Sequence, residues 1–206
     1  MTAYAFRPMS AADLPTIRRW LGTPHVAQWW HDPSEQFELV SGDLDHPDMA
    51  QYIVLTGGRE FAYLQCYNLS AWNAGFGLQP DGTRGLDQFI GEADMLGRGH
   101  GSAFVRTFAD QLLISGTPRV VTDPDPANAR AIRAYEKAGF RRDSIVDTPD
   151  GPALLMVRDP RWWRVLRPLP PDFPIGSGCR WLPGCSLFRL QFCMRWVAIR
   201  SAPAAM

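Results

Sequence analysis

Residues 95–102 read Met95-Leu96-Gly97-Arg98-Gly99-His100-Gly101-Ser102, and no other stretch restricts the fold as much. Three alternating glycines leave successive backbone N–H groups unobstructed by Cβ atoms. Phe104, Val105, Phe108 and Leu112 follow at helical spacing, which places the loop at a helix N-terminus. Unpaired amides and the positive end of the helix dipole then face the loop together, a combination that cradles an anion. The alternative for an isolated G-x-G-x-G is a flexible surface turn. The neighbouring elements decide between the two.

Upstream, residues 3–8 alternate and predict a first strand ending at Pro8. Ser10 is placed to cap a helix running to about Leu21, with Asp13 at its third position and Leu14, Ile17 and Leu21 as its apolar face. A second short helix is expected over 24–31 and a weakly periodic third over 34–44. Residues 51–55 and 60–67 flank the turn Thr56-Gly57-Gly58-Arg59 as a hairpin. Residues 68–83 read as a long loop, a feature that is usually functional in a compact domain.

Residues 84–90 form a strand leading into the glycine loop, and the helix after it runs to about Leu113. A strand at 119–123 follows. Asp125 as N-cap, Pro126 at the first position and Gly139 as stop frame the next helix. Residues 140–146 and 152–157 make a terminal strand pair. The expected organisation is one domain over 1–159. Residues 160–206 form an irregular tail rich in tryptophan, proline and arginine, with Cys179, Cys185 and Cys193 and an amphipathic stretch at 186–199.

Composition narrows the function classes. The chain has 21 basic and 21 acidic side chains, so it lacks the basic excess of a protein built on phosphate backbones, and nucleic acid is not expected as a partner. No apolar run approaches a membrane span and the N-terminus does not resemble a signal peptide, so a cytoplasmic protein with no membrane partner is expected. The four cysteines form no C-x-x-C pair and the histidines do not cluster, so no metal is expected.

Several side chains stand out. Asp87 shares a strand face with Phe89, and a carboxylate in a strand entering a core is costly unless paired or working. Asp123 ends the strand Val120-Val121-Thr122, where open α/β sheets present ligand crevices; its alternative is a cap ahead of Pro124. Asn128 either caps its own helix or binds a ligand there. Tyr135 lies one turn after Ala131; a tyrosine there is either core with a satisfied hydroxyl or a proton donor.

The segment Asn128-x-x-Ala131-x-x-x-Tyr135-x-x-x-Gly139-Phe140, downstream of Gly97-x-Gly99-x-Gly101, resembles the GNAT superfamily of acyl-CoA-dependent N-acyltransferases. Arg84-Gly85-Leu86-Asp87-Gln88-Phe89, Thr122-Asp123-Pro124-Asp125-Pro126, Tyr135-Glu136-Lys137-Ala138-Gly139-Phe140 and Thr148-Pro149-Asp150-Gly151-Pro152 resemble its aminoglycoside 6′-N-acetyltransferases, as do Pro24-His25-Val26 and Trp29-Trp30. The likeness spans roughly residues 4–158.

The resemblance implies an α/β (α+β) fold. Its central twisted sheet is mixed, mostly antiparallel and flanked by helices, with acyl-CoA bound where two strands splay. It implies transfer of an acetyl group from acetyl-CoA to a small primary amine, such as the 6′-amine of an aminoglycoside. Alternative acceptors are a siderophore-type amine, a polyamine or a protein N-terminus; a non-catalytic CoA-binding domain is the alternative of another class. The chain would act as a monomer or homodimer.

Leu96, Gly97, Arg98, Gly99, His100, Gly101 and Ser102 are implied to take the pyrophosphate, Arg98 and His100 as cations, with Asn128 and Arg133 on the cofactor arm. Asp87 and Asp123 would sit at the amine end, Asp87 as base or anchor and Tyr135 as the acid for the thiolate. Trp30 and Trp72 would border the acceptor. A backbone N–H of residues 84–90, or of the loop after them, would meet the developing oxyanion. A polycationic acceptor needs negative potential, yet the 68–83 loop supplies only Asp81, beside Trp72 and Phe76.

Overall fold

The computed structural model describes residues 3–72, 75–149 and 151–160. They fall in the unit Met1–Leu166; the unit Arg167–Met206 lies outside the described residues, and with it the reading of the tail. Among the described residues, seven strands form one sheet in the order β1-β2-β3-β4-β5-β7-β6. They are β1 (Tyr4–Pro8), β2 (Met49–Thr56), β3 (Arg59–Asn68), β4 (Arg84–Ile90), β5 (Val120–Thr122), β6 (Arg141–Thr148) and β7 (Gly151–Arg158). Every neighbouring pair is antiparallel except β4 and β5, so the sheet is mixed and mostly antiparallel, as the resemblance implies.

Helices cover both faces. On one face lie α4 (His100–Ile114) and α5 (Ala129–Ala138). Phe104, Val105 and Phe108 of α4 and Ile132 and Tyr135 of α5 meet Ala62, Leu64, Cys66 and Leu86 of the sheet in one cluster. On the other lie α1 (Leu14–Leu21), α2 (Pro24–Trp30) and α3 (Pro33–Gly42). Ile17, Trp20, Val26, Phe37 and Val40 there enclose Ile53, Tyr63 and Phe89. Tyr67, Leu69, Phe76, Val121, Leu155 and Val157 form a third cluster. Burying β3 and β4 on both sides gives each strand two working faces. At one edge β6 is exposed along most of its length and carries Arg141, Arg142, Asp143 and Asp147, charges that discourage further strand pairing.

Three helix starts differ from expectation. Ser10 and Asp13 do form a capping box, but the first turn, Ala11–Asp13, is a 3₁₀ turn and α1 proper begins at Leu14. Helix α5 begins at Ala129 with Asn128 as N-cap, and Asp125 does not cap it. Asp125 closes a local turn instead, accepting from the Ala127 amide at 2.6 Å. Asn128 accepts from the Ala131 amide at 3.0 Å, and an asparagine oxygen at that spacing satisfies the third orphan N–H of the helix. The stop at Gly139 holds, with φ 98° in the region glycine reaches without strain. Helix α3 starts earlier than expected, because the Asp32 carboxylate accepts from the Ser34 and Glu35 amides. Among the described residues no helix is long and apolar enough to cross a membrane.

Candidate active site

Strands β4 and β5 are in register only at Arg84–Val120 and Gly85–Val121. Beyond those pairs β4 runs on to Ile90 while β5 stops at Thr122, so the sheet opens along the far half of β4. The Arg84 amide donates toward β5, to Arg119 O, and the Gly91 amide toward β3, to Phe61 O. By strand alternation the amides of Gln88 and Ile90 point into the opening. Tyr135, on α5, spans it. Its hydroxyl hydrogen-bonds with Thr122 of β5 and Gln88 of β4, and burial pushes the phenol up to about 12. A phenol with that value keeps its proton at neutral pH.

A cleft of ≈ 280 Å³ runs from α2 past the end of β4 to the glycine loop and α5. His25, Trp29 and Trp30 line one end, and Nε2 of His25 lies 2.9 Å from the Ile90 carbonyl. Leu96, Gly97, Gly99, His100, Gly101 and Ser102 line the loop side. Gly97 has φ 75° and Gly99, the N-cap of α4, has φ 82°. These left-handed residues turn the chain so that the first amides of α4 face the cleft. Arg130, Arg133 and Lys137 line the opposite wall from α5 at helical spacing. Amides and exposed cations on facing walls suit a pyrophosphate, so the residues present fit acetyl-CoA.

The anion-site expectations divide. The loop and Arg133 reach the cleft, and Arg130 and Lys137 join them; their three- and four-residue spacing was the available signal. Asn128 lines the cleft too, but its side-chain oxygen serves the cap. Arg98 is exposed and does not line the cleft; Asp94 feels its charge. His100 sits at the margin with its ring turned inward: Nδ1 lies 2.9 Å from the Tyr4 hydroxyl and the ring packs on Phe61 at 5.4 Å.

Asp87 occupies the other face of β4, on the side of α1–α3. Its neighbours along that face are Phe89 and Gly85, two residues away each. Gly85 leaves room for the Tyr67 ring, because a Cβ there would lie 2.2 Å from Tyr67 Cε2. Asp87 is half-buried between aromatic clusters: Tyr63 and Phe89, joined by Trp30 at 6.0 and 4.9 Å, and Tyr67, joined by Trp72 at 5.8 Å. Burial raises its carboxyl to about 6, opposed by a hydrogen bond from Gln65 Nε2 to Oδ2 at 2.9 Å. The charges of Asp87 and Asp123 are both felt at the buried hydroxyls of Tyr67 and Tyr135, raising both phenols further.

Both carboxylates and Tyr135 therefore meet where the sheet opens. The negative potential missing from the 68–83 loop comes from β4, β5 and the residue after α3, since Asp43 acts on Tyr63. Trp72 borders the acidic end through Tyr67 and His46. Sequence reading missed Gln65, Tyr63 and Tyr67. The signal was a polar residue between two tyrosines on one face of a buried strand.

A sheet that opens beside a glycine-loop helix start, with a tyrosine across the opening, defines an acyl-CoA-dependent transferase. The chain belongs to the GNAT acetyltransferases: the family described as "Acetyltransferase (GNAT) domain" matches residues 10–148. It is an acetyl-CoA-dependent N-acetyltransferase. It is 37% identical over 166 residues to aminoglycoside N(6′)-acetyltransferase type 1 of Klebsiella pneumoniae, covering 74% of this chain and 81% of the relative. It is 50% identical over 80 residues to a kanamycin resistance protein of Rhizobium radiobacter, covering 37% and 72%. The crystal structure of aminoglycoside acetyltransferase AAC(6′)-Ib with coenzyme A and kanamycin matches with TM-score 0.69 at 34% identity, over 80% of this chain and 99% of that one.

Proposed function

We propose that this enzyme acetylates the 6′-amine of an aminoglycoside, with Asp87 as general base and Tyr135 as general acid. The observation that carries the reading is the half-buried Asp87 carboxylate, set between aromatic walls at the sheet opening that Tyr135 spans. A polycationic sugar amine is gathered by Asp87 and Asp123, with Asp43 adding to the field. Apolar sugar faces pack on Trp30 and Trp72.

Bound acetyl-CoA supplies an activated acetyl thioester. The amides of Gly97, Gly99, Gly101 and Ser102 hold its pyrophosphate, with Arg130, Arg133 and Lys137 closing from α5. The Gln88 and Ile90 amides, pointing into the opening, donate to the oxygen on which charge develops. Asp87 takes the proton of the attacking amine, and the Tyr135 hydroxyl gives its proton to the departing sulfur. Each of these groups belongs to one chain, so a monomer or a homodimer serves equally. A cytoplasmic setting fits an enzyme that consumes acetyl-CoA.

The test is acetyl-CoA turnover with kanamycin, spermidine and a peptide N-terminus as acceptors. Kanamycin is expected to be preferred. Asp87→Asn and Tyr135→Phe should each lower kcat by about 10²-fold or more while acetyl-CoA still binds. Preference for spermidine or the peptide would reject the aminoglycoside assignment. Full activity in Asp87→Asn would reject the base.

A further inference from the structure

Tyr63 is fully buried, stacked on Phe89 at 5.2 Å with Trp30 edge-on at 6.0 Å. Its ring therefore cannot swing without disturbing the packing of α2 on the sheet. From that position its hydroxyl donates to Gln65 Oε1 at 2.8 Å. Gln65 pairs with Asp87 across β3 and β4, and its Nε2 donates to Asp87 Oδ2 at 2.9 Å. Carboxylate oxygens only accept, so the group facing Asp87 must be the amide NH₂. Tyr63 then supplies the one proton that suits the amide oxygen behind it.

We infer that Tyr63 and Gln65 are positioning residues for Asp87, a two-member chain that fixes which carboxylate oxygen receives the proton of the substrate amine. This rests on the reading of Asp87 as base. Oδ2 is occupied by Gln65, so Oδ1 is the receiving atom: the amine N–H bond breaks, an O–H bond forms at Oδ1, and the nitrogen lone pair is released toward the thioester carbonyl carbon. The same donor favours the charged carboxylate and opposes the burial that raises it. A flipped Gln65 would point its oxygen at Asp87, an arrangement tolerable only when Asp87 is protonated. The Tyr63 proton, received by the amide oxygen at 2.8 Å, favours the orientation with the NH₂ toward Asp87. The other titratable groups acting with Asp87 are Tyr67 and Cys66 of β3 and Tyr135 of α5, each raised by burial and by the Asp87 charge. Each is neutral at working pH.

The experiment is the pH profile of kcat/KM for the full chain with kanamycin and acetyl-CoA, in wild type, Tyr63→Phe, Gln65→Leu and Asp87→Asn. Loss of a charge-assisted hydrogen bond raises the Asp87 pKa, so the acidic limb should move to higher pH. The expected displacement is about one pH unit for Gln65→Leu, or about tenfold less activity below pH 6. Tyr63→Phe should move it in the same direction by less, with the KM for acetyl-CoA unchanged in both. The amine of the substrate titrates identically in every variant and drops out of the comparison. Limbs that stay in place in both variants, while Asp87→Asn loses activity, overturn the inference and leave the base intact. Asp87→Asn with an unaltered profile overturns the base itself. Because Tyr63→Phe keeps the ring and its packing, it decides the matter if Gln65→Leu fails to fold.

Discussion

Burial lifts the Asp87 carboxyl from the ordinary 3.8 to about 6, and that change has a cost in stability with a definite sign. A folded-state value above the unfolded one favours the native state at low pH, and the advantage disappears as pH rises from about 4 through 6. At pH 8 the charged carboxylate therefore costs the fold on the order of 1–3 kcal/mol, the upper end being the full displacement without solvent access. Asp87→Asn should raise the melting temperature at pH 8 and leave it nearly unchanged at pH 4. Thermal melts at the two pH values check this, and an equal change at both would show that packing rather than charge is involved. The residue is thus set against stability in the direction a working base requires. Tyr135 differs: burial raises its phenol, so removing the hydroxyl costs chemistry and little charge balance.

At the scale of elements, the glycines of the anion loop do different jobs. Gly97 and Gly99 hold left-handed φ, so any side chain there strains the backbone by about 1–2 kcal/mol whatever the ligand. Gly101 carries no such φ, and a Cβ on it would meet only Ile90 Cδ1 at an ordinary 3.7 Å. Gly101→Asp is therefore the informative variant. It should melt within a few degrees of wild type and lose acetyl-CoA affinity by more than about tenfold, since a carboxylate replaces a neutral position beside the bound pyrophosphate. Isothermal titration reads the affinity, and an undiminished value in the folded variant removes this loop from the cofactor site. The N-terminus of α5 is a separate device, in which the Asn128 side chain completes the helix.

For the whole molecule, Asp159, next to the last described residue, anchors several elements at one point. Arg119, beside the start of β5, pairs with Asp159 at 2.7 Å and donates to Gln79 of the 68–83 loop at 3.1 Å. Arg141 reaches the same carboxylate at 3.5 Å. These contacts tie loop, β5, β6 and the end of β7 together, and every residue assigned a role above precedes Asp159. A chain ending at Pro160 is expected to fold and to keep full activity with kanamycin. Aggregation or loss of activity would make the remaining residues part of the catalytic domain.

The elements themselves were legible because they rest on local chemistry. Periodic apolar residues marked α4, the Gly57-Gly58 turn marked the β2–β3 hairpin, and Gly139 marked the end of α5. The glycine loop at the start of α4 was legible for the same reason, since glycine spacing and a helix start lie within a few residues of one another. Asp87 could be suspected because a carboxylate in a core strand needs a reason. What surrounds it could not be read. Gln65 meets Asp87 only through the pairing of β3 with β4, and Asp123 only because β5 enters beside β4 after a long crossover. His100 could be placed at the loop, but not its turn toward Tyr4 of β1. Sequence spacing fixes what one turn or one strand can present; which presentations face each other is decided by strand order and register, and those depend on packing summed over the whole chain.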